Sequence, residues 1–276
     1  MASQWDNFLR NQGEWRGTFT SLGPDAQVLQ TTATILNLEQ GDEERLVHFR
    51  LRRFANGDLH GEPSRDNRED YRTLGRQVVF FANGSFCKGS LQVAPGTVFG
   101  GEFGFIHGDR RHRLVQLHHS DGSFDQLVLI REWRTGHDEP ERPALQLDHL
   151  IGSWSGQAQR ISADWPEPDS FDCQLEVQRL ADGAVQWRSQ VGDQIHAHRL
   201  QGQEPVLAIE GDSQPQRFTL LADGGYHLGP HQVSHREPFS VEAGWLIGPN
   251  QLERLVRRFD GSGAWLDSTH WMLQRH

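Results

Sequence analysis

The feature that most constrains this chain is a pentapeptide that occurs twice, Gly13-Glu14-Trp15-Arg16-Gly17 and Gly152-Ser153-Trp154-Ser155-Gly156, each followed by the same landmarks in register. Counted from the tryptophans, an Asn/Asp-Gly pair falls 68 and 69 residues on, and another falls 106 residues on in both copies. Between them lies a shared string, Phe-x-x-Glu-x-Gly-aromatic-aliphatic-x-Gly, running from Phe99 to Gly108 and from Phe239 to Gly248. Its glutamates, Glu102 and Glu242, stand 87 and 88 residues beyond their tryptophans. Repetition at so long a period means one structural unit used twice. The expected units are residues 1–137 and 146–276, joined by a linker at 138–145 inside the stretch Thr135 to Leu147, which is rich in Pro and charge.

Turn chemistry gives the class of the unit. Six Asn-Gly or Asp-Gly pairs, at residues 56, 83, 121, 182, 223 and 260, sit beside short strand-like runs. Such pairs favour tight hairpins because a type I′ turn needs φ > 0 at both central residues. Val47 to Arg52 alternates apolar with His and Arg, while Gln77 to Phe81, Arg113 to Leu117 and Gln126 to Ile130 are β-branched or aromatic and too short for helices. Only Gln4 to Asn11, with Trp5, Phe8 and Leu9 at helical spacing, reads as a helix. The chain is expected to be all-β, two tandem antiparallel up-and-down β-barrels with short helical caps.

Composition removes several function classes. With 27 Lys+Arg against 37 Asp+Glu the formal charge is −10, which disfavours nucleic acid as a partner. Lys88 is the single lysine, so lysine-based covalent catalysis would rest on one side chain. Cys87 and Cys173 form neither a disulfide framework nor a zinc pattern, which fits a reducing compartment. No stretch approaches the roughly 20 apolar residues that span a bilayer, and the first residues lack the pattern of a signal peptide. The expectation is a cytoplasmic protein. No Gly-x-Ser-x-Gly elbow and no phosphate-cradling glycine motif occurs.

Each copy also closes with arginine, Arg131 and Arg134 in the first and Arg275 in the second. A guanidinium stacked on the motif tryptophan would tie first strand to last, with about 0.5–2 kcal/mol of cation–π attraction. Gly13, Trp15 and Arg134, with Gly152, Trp154 and Arg275, are therefore expected to be structural. The arrangement resembles the calycin superfamily of lipocalins, fatty-acid-binding proteins and nitrobindin-like proteins, and the Gly-x-Trp-x-Gly form is nearest the nitrobindin-like branch. The strings Gly101 to Arg111, Glu242 to Leu246, Arg254 to Asp260 and Gly263 to Trp265 resemble a two-barrel calycin family of cyanobacteria without an established activity. Its relatives include the S-type phycobiliprotein chromophore lyases, single barrels that carry linear tetrapyrroles to an antenna protein. The resemblance implies a cavity able to hold one small ligand.

The candidate ligand-binding residues are Glu102, His107, Arg110, Arg111, Arg113, Glu242 and Arg254. The glutamates stand in strands otherwise built of Gly, Phe and Trp, and an arginine follows each by 11 or 12 residues, so neighbouring strands can pair Glu102 with Arg113 and Glu242 with Arg254. Such pairs read either as a polar floor for a ligand's carboxylate or pyrrole NH groups, or as an ion pair that defines the fold. The cluster from His107 to Arg113 exists only in the first copy, and its arginine forks suit propionates or phosphates; it reads equally as a solvated loop at the rim. No histidine set has metal-site spacing, so no metal is assigned. The nitrobindin resemblance leaves haem open, with His270 or His107 as axial ligand. The leading expectation is a non-covalent binder or carrier of a hydrophobic or amphipathic molecule: a bilin, a porphyrin, an apocarotenoid or a fatty-acid-like ligand. Two alternatives stand beside it. One is a chromophore lyase or cofactor-free isomerase acting on a tetrapyrrole, with Glu102 as acid/base and a phycobiliprotein as partner; the other is a non-enzymatic scaffold or assembly protein.

Overall fold

The computed structural model describes residues 2–137, 139–165, 167–210 and 214–276; residue 138, first of the expected linker, lies outside them. A short helix, α1 (Gln4–Leu9), opens the chain. Nine strands follow: β1 (Gly13–Leu22), β2 (Val28–Gln40), β3 (Val47–Phe54), β4 (Arg65–Tyr71), β5 (Val78–Phe80), β6 (Phe86–Gly89), β7 (Phe99–His107), β8 (Arg110–His118) and β9 (Phe124–Arg134). They form one antiparallel sheet in the order β4-β3-β2-β1-β9-β8-β7-β6-β5. The second half supplies ten: β10 (Gly152–Ser162), β11 (Asp169–Arg179), β12 (Val185–Val191), β13 (Gln194–Gln203), β14 (Val206–Glu210), β15 (Gln216–Leu220), β16 (Gly225–Pro230), β17 (Phe239–Gly248), β18 (Gln251–Phe259) and β19 (Trp265–Arg275). These close into a barrel.

The two copies differ at one place. In the second, the twelve residues between β13 and β15 contain β14, which pairs with both neighbours and completes the ring. In the first, only residues 72–77 join β4 to β5, too few to add a strand. The first sheet is therefore curled but not closed, and the expected all-β chain of two tandem antiparallel barrels takes the form of one half-barrel and one closed ten-stranded barrel.

The repeated pentapeptide has a physical cause in both copies. Gly13 and Gly152 adopt φ of +122° and +137°, where side chains strain the backbone. Gly17 and Gly156 lie so close to the last strand that a Cβ would sit 1.9 Å from the Arg131 carbonyl oxygen or 1.8 Å from that of Met272. Between each glycine pair the tryptophan is fully buried, its Nε1 donating to a main-chain carbonyl four residues earlier, Asn11 or Leu150, at 2.9 Å. Arg134 and Arg275 stand opposite Trp15 and Trp154 in the register, each guanidinium 4.3 Å from the ring centroid.

Turns form at all six Asn/Asp-Gly sites, but only Asp223-Gly224 has φ > 0 at both residues. Gly84, Gly122, Gly183 and Gly263 instead occupy the left-handed position of longer hairpins, each donating to the carbonyl three residues back. That is the type I turn with a glycine bulge.

The shared string alternates by the strand period of two. Glu102 and Gly104 on β7, and Glu242 and Gly244 on β17, face into their own sheet. Phe103 and Phe105, with Val241, Ala243 and Trp245, face out and are fully buried against the other copy in one continuous apolar cluster. Gly104 and Gly244 make room for a ring, since a Cβ there would lie 2.1 Å from Phe86 or 2.0 Å from Tyr226.

Candidate functional site

A cavity of about 460 Å³ occupies the interior of the first sheet. Its wall is apolar, with Phe8, Leu36, Phe49, Leu51, Leu74 and Phe80 among its residues, and its border runs along β4, β5 and the 72–77 connection, where the sheet is open. The closed barrel holds a smaller space of about 370 Å³ with a more polar lining that includes Arg160, His196, His198 and Arg258. Register explains the difference. Trp187 and Phe218 stand where the first copy has Phe49 and Val78, and Tyr226 where it has Phe86. In the barrel these three rings pack together at centroid distances of 4.8–5.6 Å and fill one end.

The floor of the first cavity is a chain of charges. Arg113 donates to Glu102 Oε1 at 2.7 Å, and through Nε and Nη2 to both oxygens of Glu132 at 3.0 and 2.9 Å. Arg111 donates to Glu132 Oε2 at 2.8 Å and lies on Trp15, 4.4 Å from the centroid, so that Arg111 and Arg134 both stack on that indole. Burial raises the Glu132 carboxyl, but the two guanidiniums outweigh it and hold its pKa at about 2. Burial lowers the Arg111 pKa to about 10 despite Glu132. For Arg113 burial acts in the same direction, and the two carboxylates more than reverse it.

The second cavity has a shorter network. Arg254 donates to both oxygens of Glu242 at 2.8 and 2.9 Å, and the Tyr226 hydroxyl donates to Oε1 at 2.5 Å. The positions equivalent to Arg111 and Glu132 are Leu252 and Leu273, which pair with each other across β18 and β19.

Of the sequence candidates, Glu102, Arg111 and Arg113 thus meet at the first cavity, and Glu242 and Arg254 at the second. Arg110 and His107 do not join them. His107 is exposed at the end of β7. Arg110 is buried between the copies, donating to Asp223 Oδ2 at 2.7 Å while stacked on Trp133. Asp223 also takes His112 Nδ1 at 3.3 Å and the Arg142 main-chain N–H at 2.8 Å. Burial raises its carboxyl, and His112, Arg142 and Arg110 bring it to about 2. His270 is likewise engaged: its Nε2 donates to Glu253 at 2.8 Å, and Glu253 accepts from Asn83 and Ser85 of the first copy. His270 thus takes part in the contact between copies. Among the described residues no group of three or more His, Cys, Asp or Glu is arranged to hold a metal.

Sequence reasoning did not find Glu132, Asp223, Arg53 or Lys88 as site or contact residues. Glu132 had a signal, since β8–β9 pairing sets it opposite Arg111. Asp223 was read only as a turn residue, and nothing local marks it as the acceptor of a partner 113 positions away.

Comparison with known proteins follows this division. Residues 1–137 match the N-terminal domain of unknown function DUF3598, and residues 141–276 match the C-terminal domain of "biogenesis factor required for ATP synthase 1". The chain is similar over its full length, 34% identical with a TM-score of 0.93, to all of a DUF3598-family protein of unknown function from Nostoc punctiforme. An S-type phycobiliprotein lyase from Guillardia theta, 12% identical, covers 47% of this chain and 90% of its own with a TM-score of 0.37. Kievitone hydratase from Nectria haematococca, 8% identical, covers 97% of this chain and 90% of its own at a TM-score of 0.21. None of the curated proteins matches. No helix among the described residues is long and apolar enough to cross a membrane.

Proposed function

The chain belongs to the DUF3598 family, and we propose that it is a non-covalent binder or carrier of a hydrophobic or amphipathic small molecule, held in the cavity of its first sheet. The observation that carries this is the contrast between copies. One fold, used twice, is closed in the second copy, where Trp187, Phe218 and Tyr226 fill one end and leave a smaller, more polar space, and is left open at β4–β5 over a larger, more apolar space in the first. A volume of about 460 Å³ with apolar walls and a few convergent polar groups has the character of a ligand site. At about 30 Å³ of liquid volume per water-sized unit it holds roughly fifteen such units. That suits a fatty-acid-like or apocarotenoid body; a bilin or porphyrin, with about twice as many heavy atoms, would protrude through the slot.

The test is titration with long-chain fatty acids, retinoids, biliverdin-type bilins and haemin, read by tryptophan quenching and ligand absorbance. The double variant Phe49→Trp/Val78→Phe, which copies the filling of the second barrel, is expected to abolish binding while retaining the fold. Binding that survives it would place the ligand elsewhere.

A second reading is an assembly factor. It is favoured by the match of residues 141–276 to a domain named for ATP synthase biogenesis, and co-purification with ATP synthase subunits tests it. The lyase or isomerase reading requires that bilin transfer to an apo-phycobiliprotein occur and be lost in Glu102→Gln.

A further inference from the structure

On the premise above that the first cavity is a ligand site, the charges that line it bear on the class of ligand. The carboxylates there are answered: Glu102 by Arg113, Glu132 by Arg111 and Arg113, while Glu69 accepts the Tyr71 hydroxyl at 2.9 Å. Two cations that line the cavity are not. Arg53 on β3 makes no ion pair or side-chain hydrogen bond among the described residues; its guanidinium lies 5.1 Å from the Phe19 centroid, and that of Arg113 lies 5.4 Å from the same ring. Arg53 is thus partly buried beside a second guanidinium, and burial, then Arg65 and Arg113, lowers its pKa. Lys88, exposed at the cavity's border and opposite Glu102 across β6–β7, also has no side-chain hydrogen bond or ion pair among the described residues.

The lining cations Arg53, Lys88, Arg111 and Arg113 face Glu69 and Glu102, with Glu132 behind them, which leaves one positive charge over in a chain whose net charge is −10. A partly desolvated guanidinium without a protein acceptor gains from a ligand that supplies one. We infer that the first cavity takes an amphipathic monocarboxylate, its apolar body against the Phe and Leu wall and its carboxylate between Arg53 and Lys88 at the level of the Glu102–Arg113 pair. Arg53 and Lys88 then determine specificity, and Glu102, itself paired, repels a second acidic group.

The experiment compares ligands that share a body and differ in the head: retinoic acid with retinol, and hexadecanoic acid with its methyl ester. Binding is followed by tryptophan quenching to the wild type, Arg53→Gln and Lys88→Gln. The acids are expected to bind the wild type at least tenfold more tightly than their neutral counterparts. Each variant should lose about tenfold for the acids and leave the neutral ligands unchanged, which also shows that the cavity is intact. Because Lys88 is the only lysine, reductive methylation followed by mass spectrometry reads that one side chain apart from the α-amine. Hexadecanoic acid should slow its modification, and the methyl ester should not. Equal binding of acids and neutral ligands would overturn the inference and leave the cavity reading standing. No binding of either kind would overturn both.

Discussion

The two copies contain a natural double substitution that predicts the outcome of an engineered one. In the first, Arg111 and Glu132 form a buried ion pair across β8–β9; in the second, the same positions are Leu252 and Leu273. Glu132 is fully buried and accepts from two guanidiniums, so Glu132→Leu leaves Arg111 uncompensated at 2% side-chain exposure. The expected loss is about 3–5 kcal/mol. An independent figure is similar: a carboxyl moved from 4.5 to about 2 corresponds to roughly 3 kcal/mol of differential stability. Arg111→Leu should cost less, since Glu132 keeps Arg113. The double variant Arg111→Leu/Glu132→Leu recreates the second barrel, in which Arg254 is satisfied by Glu242 alone. It gives up cation–π contact with Trp15, about 0.5–2 kcal/mol, but no buried charge is stranded. Its loss should stay under about 2 kcal/mol, giving a coupling of about 2 kcal/mol or more between the positions. Urea denaturation followed by tryptophan fluorescence and far-UV circular dichroism supplies the midpoints. The sign with pH follows from the depressed carboxyl. Its contribution is complete above about 4.5 and is lost as pH falls toward about 2, so Glu132→Leu should flatten the stability profile in that window. A double variant at least as unstable as Glu132→Leu alone would refute the reasoning.

Other consequences can be checked directly. Asp223→Asn keeps a residue that tolerates φ of +58° but removes the charge that Arg110 and His112 share. It should cost about 3–5 kcal/mol and expose residues 139–145 to limited proteolysis; unchanged protection would mean that the contact between copies does not depend on this charge. Gly17→Ala or Gly156→Ala must displace the last strand and should abolish soluble expression or cost at least 3 kcal/mol by order of magnitude, read as a fall in urea midpoint. Burial pushes both thiols, Cys87 and Cys173, up to about 12, so neither should react with Ellman's reagent in the native protein and both should in urea. Burial lowers His118 to about 4 and takes His227 and His112 below their ordinary value. The unfolded chain therefore binds more protons as pH drops below 6.5, and stability should fall between about 6.5 and 4; a profile flat through that range would contradict neutral buried imidazoles.

What the sequence revealed and what it hid have one cause. The Gly-x-Trp-x-Gly motif, the closing arginines and the Glu-Arg spacings were legible because each is a contact between strands that neighbour one another in a meander, and the register of such contacts is written in turn lengths. Glu102 and Arg113 are eleven residues apart with a tight turn between them, and nothing else is needed to bring them together. Three features needed more than neighbouring strands. The fate of Arg110 depended on Asp223 in the other copy, and that of His270 on a glutamate that also serves Asn83 and Ser85. Closure depended on whether the segment after the fourth strand had six residues or twelve. The aromatic residues of the shared string show the same limit, since alternation alone assigns Phe103, Phe105 and Trp245 to the face opposite the glutamates without saying whether that face meets ligand, solvent or a second sheet. In this chain it meets the second copy. Duplication let the two copies diverge: the second closes its ring, fills one end with Trp187, Phe218 and Tyr226 and braces the first along β7 and β17, while the first lacks the closing strand and keeps a larger, more apolar space with an opening and two cations, Arg53 and Lys88, at its lining.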